Sequence, residues 1–396
     1  MYDVAIIGAG PGGAAAAVAL GQRGISNVVL LDREGFPRHK TCGSGLSPNA
    51  LKVIEQLGLL NEVKAKGYHI NAVRIVTPGG REMVIASDAA AIVCLREVFD
   101  HLLVQRAQAL GVTLKTPFRA DALLKDGDRV VGVKGFDGEE IRAKVVLCAD
   151  GANSIFSVDP RPKRSIATLM GWWDDFDVEP NRLDMIFDRS VSPLYGWMFP
   201  EGGRRVNIGI CIDGQDESGE KTTKNLRAIF QQFLDTHYAK QLKTAKQLGK
   251  WKGHPIVYTT WIGHMTQPGA LFLGEAARIT HNATGEGISQ AMESGAFAAE
   301  AVARVLKEGQ SEKKAWGWYV NQHRKRFTGA FLAGHALRAV VDSTLLDHVA
   351  DAYNNPTVRR AVTKLLGSAL AGSSVGVAQG VSDVNEALGE RRPAAD

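Results

Sequence analysis

Gly8, Gly10 and Gly13 stand in the run Gly8-Ala9-Gly10-Pro11-Gly12-Gly13, directly after the apolar stretch Val4-Ala5-Ile6-Ile7. Glycines at this spacing, after a strand and before a helix, suit the holding of a dinucleotide pyrophosphate; alone they could equally be a glycine-rich turn of an unrelated α/β fold. The chain must turn at Gly8 too tightly for a side chain, Gly10 lets backbone approach phosphate, and Gly13 lets the next helix pack closely on the sheet. The N-terminus of that helix offers free N–H groups and partial positive charge to the anion. A second apolar run, Val28-Val29-Leu30-Leu31, ends at Asp32, where a carboxylate can accept ribose hydroxyls; Arg33 beside it is a further candidate contact. Two later stretches repeat the pattern of strand, then glycine turn. Residues 144–147 run into Cys148-Ala149-Asp150-Gly151. Leu271-Phe272-Leu273 runs into Gly274-Glu275-Ala276-Ala277, followed by Thr284-Gly285-Glu286-Gly287-Ile288. The three describe one dinucleotide site assembled from distant parts of the chain.

The elements that must position these residues read as follows. An Ala-rich helix is predicted over 11–23. A long Gly-rich, basic loop covers 33–47, and a helix covers 48–57. Two strand-like runs, 72–77 and 82–85, flank Pro78-Gly79-Gly80 as a hairpin. An amphipathic helix follows over 95–110, then a strand at 112–114. An antiparallel meander with turns at Gly127 and Asp137-Gly138 leads to the strand before Asp150. From residue 153 to 268 the character changes to strands at 166–173, 183–187, 196–199 and 206–212, with one helix over 222–234. Aromatic residues gather here: Trp172, Trp173, Phe176, Tyr195, Trp197 and Phe199. This reads as a mixed sheet with one face covered, suited to a substrate. Helices at 286–307, 312–330, 332–347 and 357–368 finish the chain. The fold expected is α/β: a discontinuous Rossmann-like domain (1–152 and 269–308), an inserted mixed-sheet substrate domain (153–268) and a helical C-terminal region (309–396). Its polar end, 386–396, is expected to fray.

With 396 residues, 45% of them hydrophobic and 22% charged, the composition is that of an ordinary globular protein. The net charge of +5 permits contact with an anionic surface, peripheral membrane contact included, but no basic run with interleaved aromatics argues for nucleic acid. The chain enters a strand at once and has no apolar run long enough to span a membrane, so a cytoplasmic protein is expected. Four cysteines without paired spacing imply a reducing compartment and no metal. Cys94, Cys148 and Cys211 lie in apolar runs as small core residues.

Taken together, Gly8–Gly13, Arg96 with Phe99-Asp100, Asp150-Gly151 and the Gly274 segment with Gly285-Glu286-Gly287 resemble the single-component FAD-dependent monooxygenase superfamily, the fold of para-hydroxybenzoate hydroxylase. Two stretches narrow the resemblance to geranylgeranyl reductases. They are Phe36-Pro37-Arg38-His39-Lys40-Thr41-Cys42-Gly43-Ser44-Gly45-Leu46 and Tyr195-Gly196-Trp197-Met198-Phe199-Pro200. The resemblance covers roughly residues 1–300. It implies bound FAD, with Asp32 on the adenosine ribose and Arg96 near the ribityl or phosphate region. The Gly274–Glu275 segment would line the ribityl–pyrophosphate track. The helix opening at Gly285, Gly287 and Ile288 would point at the flavin pyrimidine edge, where a helix N-terminus favours the negative charge of a reduced flavin. The loop with Lys40, Cys42 and Gly43 would reach the flavin and the substrate. Arg96 opens a helix, against the dipole, so a ligand partner is expected for it. The chain departs from the family at Glu275, where Asp is usual, and at His281-Asn282-Ala283, where Pro is frequent.

Candidate catalytic residues are Cys42, Tyr195, Trp197 and His281. Cys42, with Arg38 and Lys40 nearby, reads either as a thiol in the site or as a small residue in a tight loop. Tyr195 and Trp197, two apart on a strand, share one face, either a cavity wall or a core pair. His281 reads either as flavin-facing or as structural. The activity implied is hydride delivery from reduced flavin to a C=C bond of an apolar, isoprenoid substrate, a proton following from an acid or water. The alternative is hydroxylation of an aromatic or polyketide substrate, and less favoured is halogenation, for which no active-site lysine stands out. There is no second Gly-x-Gly-x-x-Gly, so electrons would come from transiently bound NAD(P)H or from a reductase or ferredoxin partner.

Overall fold

The computed structural model describes residues 1–215 and 219–370; the polar segment 386–396 lies outside the described residues. Strand Tyr2–Ile7 is the centre of the first sheet. It pairs in parallel with Val28–Leu31 on one side and Glu140–Cys148 on the other, with Ile7 level with both Leu31 and Cys148. Ala270–Phe272 adds in parallel beyond, Phe272 level with Cys148. Parallel strands in this register end together. Their shared carboxyl edge therefore carries Gly8, Asp32, Ala149 and Leu273 at one level, with Gly274 one residue beyond, the place where open α/β sheets bind ligands.

Helix Pro11–Gln22 is buried through most of its length, which explains a sequence of Gly and Ala with little amphipathic contrast. Its neighbour is the helix Ile288–Leu306. A Cβ on Gly295 would sit 2.3 Å from the Gly12 carbonyl oxygen, so glycine there is a condition of the two helices touching.

The second sheet runs in the order Lys246–Gly253, Arg164–Asp174, Arg205–Asp213, Gly196–Gly202, Arg182–Ile186, Tyr68–Val76, Glu82–Val93, Gly45–Leu46. Three of its strands come from residues 45–93, outside the 153–268 boundary read from the sequence. The parallel pairing of Arg182–Ile186 with Tyr68–Val76 joins the two segments. One face is covered by helix Leu226–His237, with Phe230 and Phe233 on Trp173, Ile208 and Ile210. The opposite face gathers Ile166, Met170, Trp172, Tyr195, Trp197 and Tyr258.

Several elements differ from expectation. The two helices predicted over 312–330 and 332–347 are one, Glu312–Asp342, followed by Leu345–Asp351. Gly334 does not break it; a Cβ there would meet Asn282 Oδ1 at 2.1 Å, so this glycine admits a neighbour. The helix predicted from 222 starts at Leu226, capped by Asn225, whose side chain accepts from Ala228 N at 3.2 Å. Helix Leu60–Lys66 and strands Lys246–Gly253 and Ile256–Tyr258 were not expected. The C-terminal helices cover the hairpin: Val349, Val358, Ala361 and Val362 pack on Ile75, Met83 and Ile85.

Candidate active site

The strand ends build a cradle of backbone. Gly8 has φ +96°, and a Cβ on it would lie 2.4 Å from the Ala149 carbonyl oxygen, so the first and second glycine turns touch. A Cβ on Gly13 would lie 1.9 Å from the Gly8 carbonyl oxygen. At Gly10 the space is open: the nearest atom a Cβ would meet is Arg38 Nη2, 4.0 Å away. Gly274, at φ +55°, stands against Ala291 in the first turn of Ile288–Leu306, and Gly12 stands against the same residue. Asp32 is buried and accepts from Ala9 N at 2.9 Å and Glu34 N at 3.1 Å. Arg33 turns outward and pairs with Glu34.

Above this cradle the loop after Asp32 brings in cations. Arg38 reaches Asp32 and Asp100, each at 3.3 Å, with its guanidinium over the Phe36 ring. Arg96 grips Asp100 with two prongs, and both side chains are buried. The partner expected of Arg96 from a ligand is thus supplied first by the protein, one helical turn on. Lys40 feels the charges of Arg96 and Glu275; burial, then Arg96 and Arg38, hold its ammonium below the usual range. Burial pushes the Glu275 carboxyl up, while one of its oxygens accepts from Val257 N at 3.1 Å. Cys42 is half-buried, and its Sγ accepts from the backbone N of Ser44, a residue held at φ +62°.

The aromatic sheet face closes the other side. Tyr195, Trp197 and Phe199 form a ladder with ring centroids 6.3 and 6.2 Å apart. The Trp197 indole is fixed: Nε1 donates to Asn207 Oδ1 at 2.8 Å, and Asn207 Nδ2 donates to the Gly171 carbonyl. The Cys42 loop lies on this ladder, since a Cβ at Gly43 would stand 3.2 Å from both Trp197 and Phe199. His39 of the same loop meets Trp172 edge-on at 5.6 Å. Tyr195 donates its hydroxyl to the Thr284 carbonyl, which ties the sheet to the loop before helix Ile288–Leu306. In that loop Glu286 accepts hydroxyls from Ser47 and Ser289. Gly285, at φ +65°, makes the turn, and Gly287 lies against Thr280. His281 is tied to backbone through both ring nitrogens. Nε2 meets the Ala330 carbonyl at 3.1 Å, and Nδ1 accepts from Ala283 N and Thr284 N. Burial pushes it down to about 4. A ring with both nitrogens engaged by backbone holds its loop and has none free for a substrate.

The chain matches the family described as FAD binding domain over residues 1–326. It belongs to that family. Among curated relatives it is 30% identical to the digeranylgeranylglycerophospholipid reductase of Methanosphaerula palustris, covering 84% of each chain. It is 28% identical to digeranylgeranylglycerophospholipid reductase 2 of Methanopyrus kandleri, covering 91% of this chain and 92% of that one. A solved geranylgeranyl bacteriochlorophyll reductase-like protein from Thermoplasma acidophilum superposes with a TM-score of 0.81 at 22% identity, each chain 98% covered. A flavin-dependent brominase superposes at 0.77 with 24% identity, covering 98% of this chain and all of the other. The fold is thus shared with reductases and halogenating enzymes alike, and this member of the FAD-binding family is an FAD-dependent oxidoreductase.

The residues present fit the cofactor. The open face at Gly10 admits a phosphate that a side chain would exclude. Two buried polar atoms lack protein partners at the same strand edge: Arg38 Nε, a donor, and Asp150 Oδ1, an acceptor. The phosphate oxygens and ribose hydroxyls of a bound FAD would supply the complementary groups. Burial holds the Asp150 carboxyl above its ordinary range. Sequence reasoning named Arg38 only as a neighbour of Cys42; its place in the basic Phe36–Leu46 run was the available signal. Asn207 was missed because an asparagine inside an apolar strand carries no motif. No helix among the described residues is long and apolar enough to cross a membrane.

Proposed function

We propose that this oxidoreductase saturates C=C bonds of an apolar isoprenoid chain. The observation that carries the reading is the Phe36–Leu46 loop laid on the Tyr195–Trp197–Phe199 ladder. It joins an apolar aromatic wall to the cofactor cradle, and the relatives named digeranylgeranylglycerophospholipid reductase fit such a substrate. When bound, reduced FAD supplies hydride at N5. The chain's own residues do the rest. Gly8, Gly10 and Gly13 admit the pyrophosphate, and Arg38, Lys40 and Arg96 offset its charge. Asp32 and Asp150 receive ribose hydroxyls, and the Gly274–Glu275 turn takes the ribityl chain. Gly285, Gly287 and Ile288 present a helix N-terminus to the flavin's pyrimidine edge. Trp197, locked by Asn207, lines the substrate wall with Tyr195, and Cys42 shapes the narrow end beside them.

The electron source in this reading is transiently bound NAD(P)H, or a reductase or ferredoxin partner. A substrate of this kind resides in lipid, so the protein works in the cytoplasm at a membrane surface, to which its +5 charge is suited.

The test is anaerobic. The flavin is reduced, a geranylgeranyl lipid is added, and flavin absorbance is followed. Reoxidation without oxygen, with a saturated product, supports the reading. Absence of reoxidation, together with isotopically labelled oxygen appearing in a product once air is admitted, would establish the hydroxylase alternative.

A further inference from the structure

Glu286 is a titratable group that the reading above leaves without a task. It sits where every part of the site meets. Its loop opens helix Ile288–Leu306, whose residue Ala291 touches both Gly12 and Gly274 of the cofactor cradle. Through Thr284 the loop is bonded to Tyr195 of the aromatic sheet. Through Ser47, which caps helix Pro48–Gln56, it is bonded to the end of the Cys42 loop. The carboxyl forms no ion pair among the described residues. The cation nearest to it in effect, Arg326, is gripped by Glu293 at 2.6 and 2.9 Å. Its partners are two hydroxyls, from Ser47 and Ser289, both on Oε1. Tyr195 lies within electrostatic range of both Glu286 and Cys42.

A half-buried carboxyl held by hydroxyls, with no cation paired to it, exchanges a proton more readily than an ion-paired one, although the N-terminus of helix Ile288–Leu306 beside it favours the carboxylate. Burial pushes it above the ordinary glutamate range, with Glu293 adding to the effect and Ser47, Ser289 and Arg326 opposing it. Negative charge on a flavin whose pyrimidine edge is held at this helix end would make proton uptake more favourable still.

We infer that Glu286 is the acid of the reaction: it takes up a proton when the flavin is reduced and gives that proton to the substrate. The inference rests on the reductase reading for its second half only. In the first half two electrons and two protons enter, one proton with the flavin and one on Glu286. In the second, hydride adds to one alkene carbon and the Glu286 proton to the other, the flavin is oxidised, and Glu286 is left as carboxylate. Ser47 and Ser289 hold the carboxyl in place through both halves.

The decisive measurement needs no substrate. The midpoint potential of the bound flavin is titrated against pH in the full-length holoprotein. The wild type shows a window in which two protons accompany two electrons; Glu286→Gln shows one proton throughout that window. Ser47→Ala keeps the carboxyl but removes a hydroxyl that favours the ionised form, so its window lies at higher pH. This second variant keeps the test intact should Glu286→Gln fail to hold FAD. A two-proton window unchanged in both variants would overturn the inference. With substrate, Glu286→Gln slows alkene-driven reoxidation by roughly 10²-fold or more, the usual worth of a general acid, while flavin reduction proceeds. Equal reoxidation rates in wild type and Glu286→Gln would refute the acid role. Should no alkene reoxidise even the wild type, a window lost in Glu286→Gln would still stand, and only the reductase reading would fall.

Discussion

Arg96 and Asp100 face each other across one turn of helix, Nε to Oδ1 at 2.7 Å and Nη2 to Oδ2 at 2.8 Å, and Asp100 is fully buried. Arg38 reaches the same carboxylate at 3.3 Å. One acid therefore holds two cations at the mouth of the cofactor cradle. Asp100→Asn leaves the buried Arg96 without its carboxylate and Arg38 with Asp32 alone, a loss of about 3–5 kcal/mol. A bound pyrophosphate would restore part of that charge. The melting temperature of the variant should therefore fall most without FAD, and the gap between FAD-free and FAD-loaded protein should widen relative to wild type.

Gly10→Val should abolish FAD retention with little loss of fold, since the space above Gly10 is open in the protein and needed by phosphate. Gly317→Val is the matched control, on a helix with open space around the glycine. Flavin absorbance after gel filtration reads both. Normal FAD content in Gly10→Val would dismiss the first glycine turn as the pyrophosphate site.

Much of this could be read from the chain. The three glycine turns were legible because each follows an apolar strand, and parallel register then forces them together. Arg96 and Asp100 were visible as a pair four residues apart, although the partner expected for Arg96 was a ligand. What escaped has a common physical cause, which is that pairing rather than local pattern decides it. Strand Lys246–Gly253 reads Lys-Gln-Leu-Gly-Lys-Trp-Lys-Gly and is largely exposed at a sheet edge, so it shows no apolar alternation. Residues 45–93 join the second sheet through a parallel partner more than a hundred residues away. His281 stayed open between a flavin-facing and a structural role because nothing local reveals that Ala330 would meet its ring.

Trp197→Ala should leave FAD bound while weakening turnover, provided that the indole lines the substrate wall. As a core residue alone it would cost roughly 3–5 kcal/mol of stability. Trp197→Phe refines the comparison by leaving Asn207 Oδ1 without its donor, a loss of about 1–3 kcal/mol. Thermal melts set against substrate titrations separate the two roles. A large melt shift with unchanged substrate binding would make Trp197 a core residue and no more.

Cys42 supports a residue at positive φ through its Sγ contact with Ser44 N. Cys42→Ser keeps an acceptor at that point and Cys42→Ala removes it. Both should leave flavin reduction intact and slow the anaerobic reoxidation by alkene, Ala at least as much as Ser. Full activity in Cys42→Ala would remove Cys42 from the site.

The buried His323 gives a pH dependence of known sign. Its Nδ1 meets the Tyr319 carbonyl, its Nε2 meets Ser294 Oγ, and burial pushes it down to about 4. The unfolded chain takes up this proton near pH 6.5 and the folded chain only near 4. Stability is therefore full above the unfolded value and is lost as pH falls between the two. From pH 7 to pH 5 the loss assignable to His323 is about 2 kcal/mol. Urea denaturation at both pH values should show that share missing from His323→Asn.

The contact between Gly12 and Gly295 also sets a timetable for synthesis. The two glycines meet as neighbouring helices, yet roughly 280 residues separate them, which a ribosome adds in about 15–60 s. Throughout that interval the Ala-rich helix Pro11–Gln22 lacks its neighbour Ile288–Leu306, and for about the first half of it strand Tyr2–Ile7 also awaits Glu140–Cys148. The nascent chain thus carries an exposed apolar helix face until the segment around Gly295 has been made, which makes it a natural client for chaperones that bind at the ribosome exit.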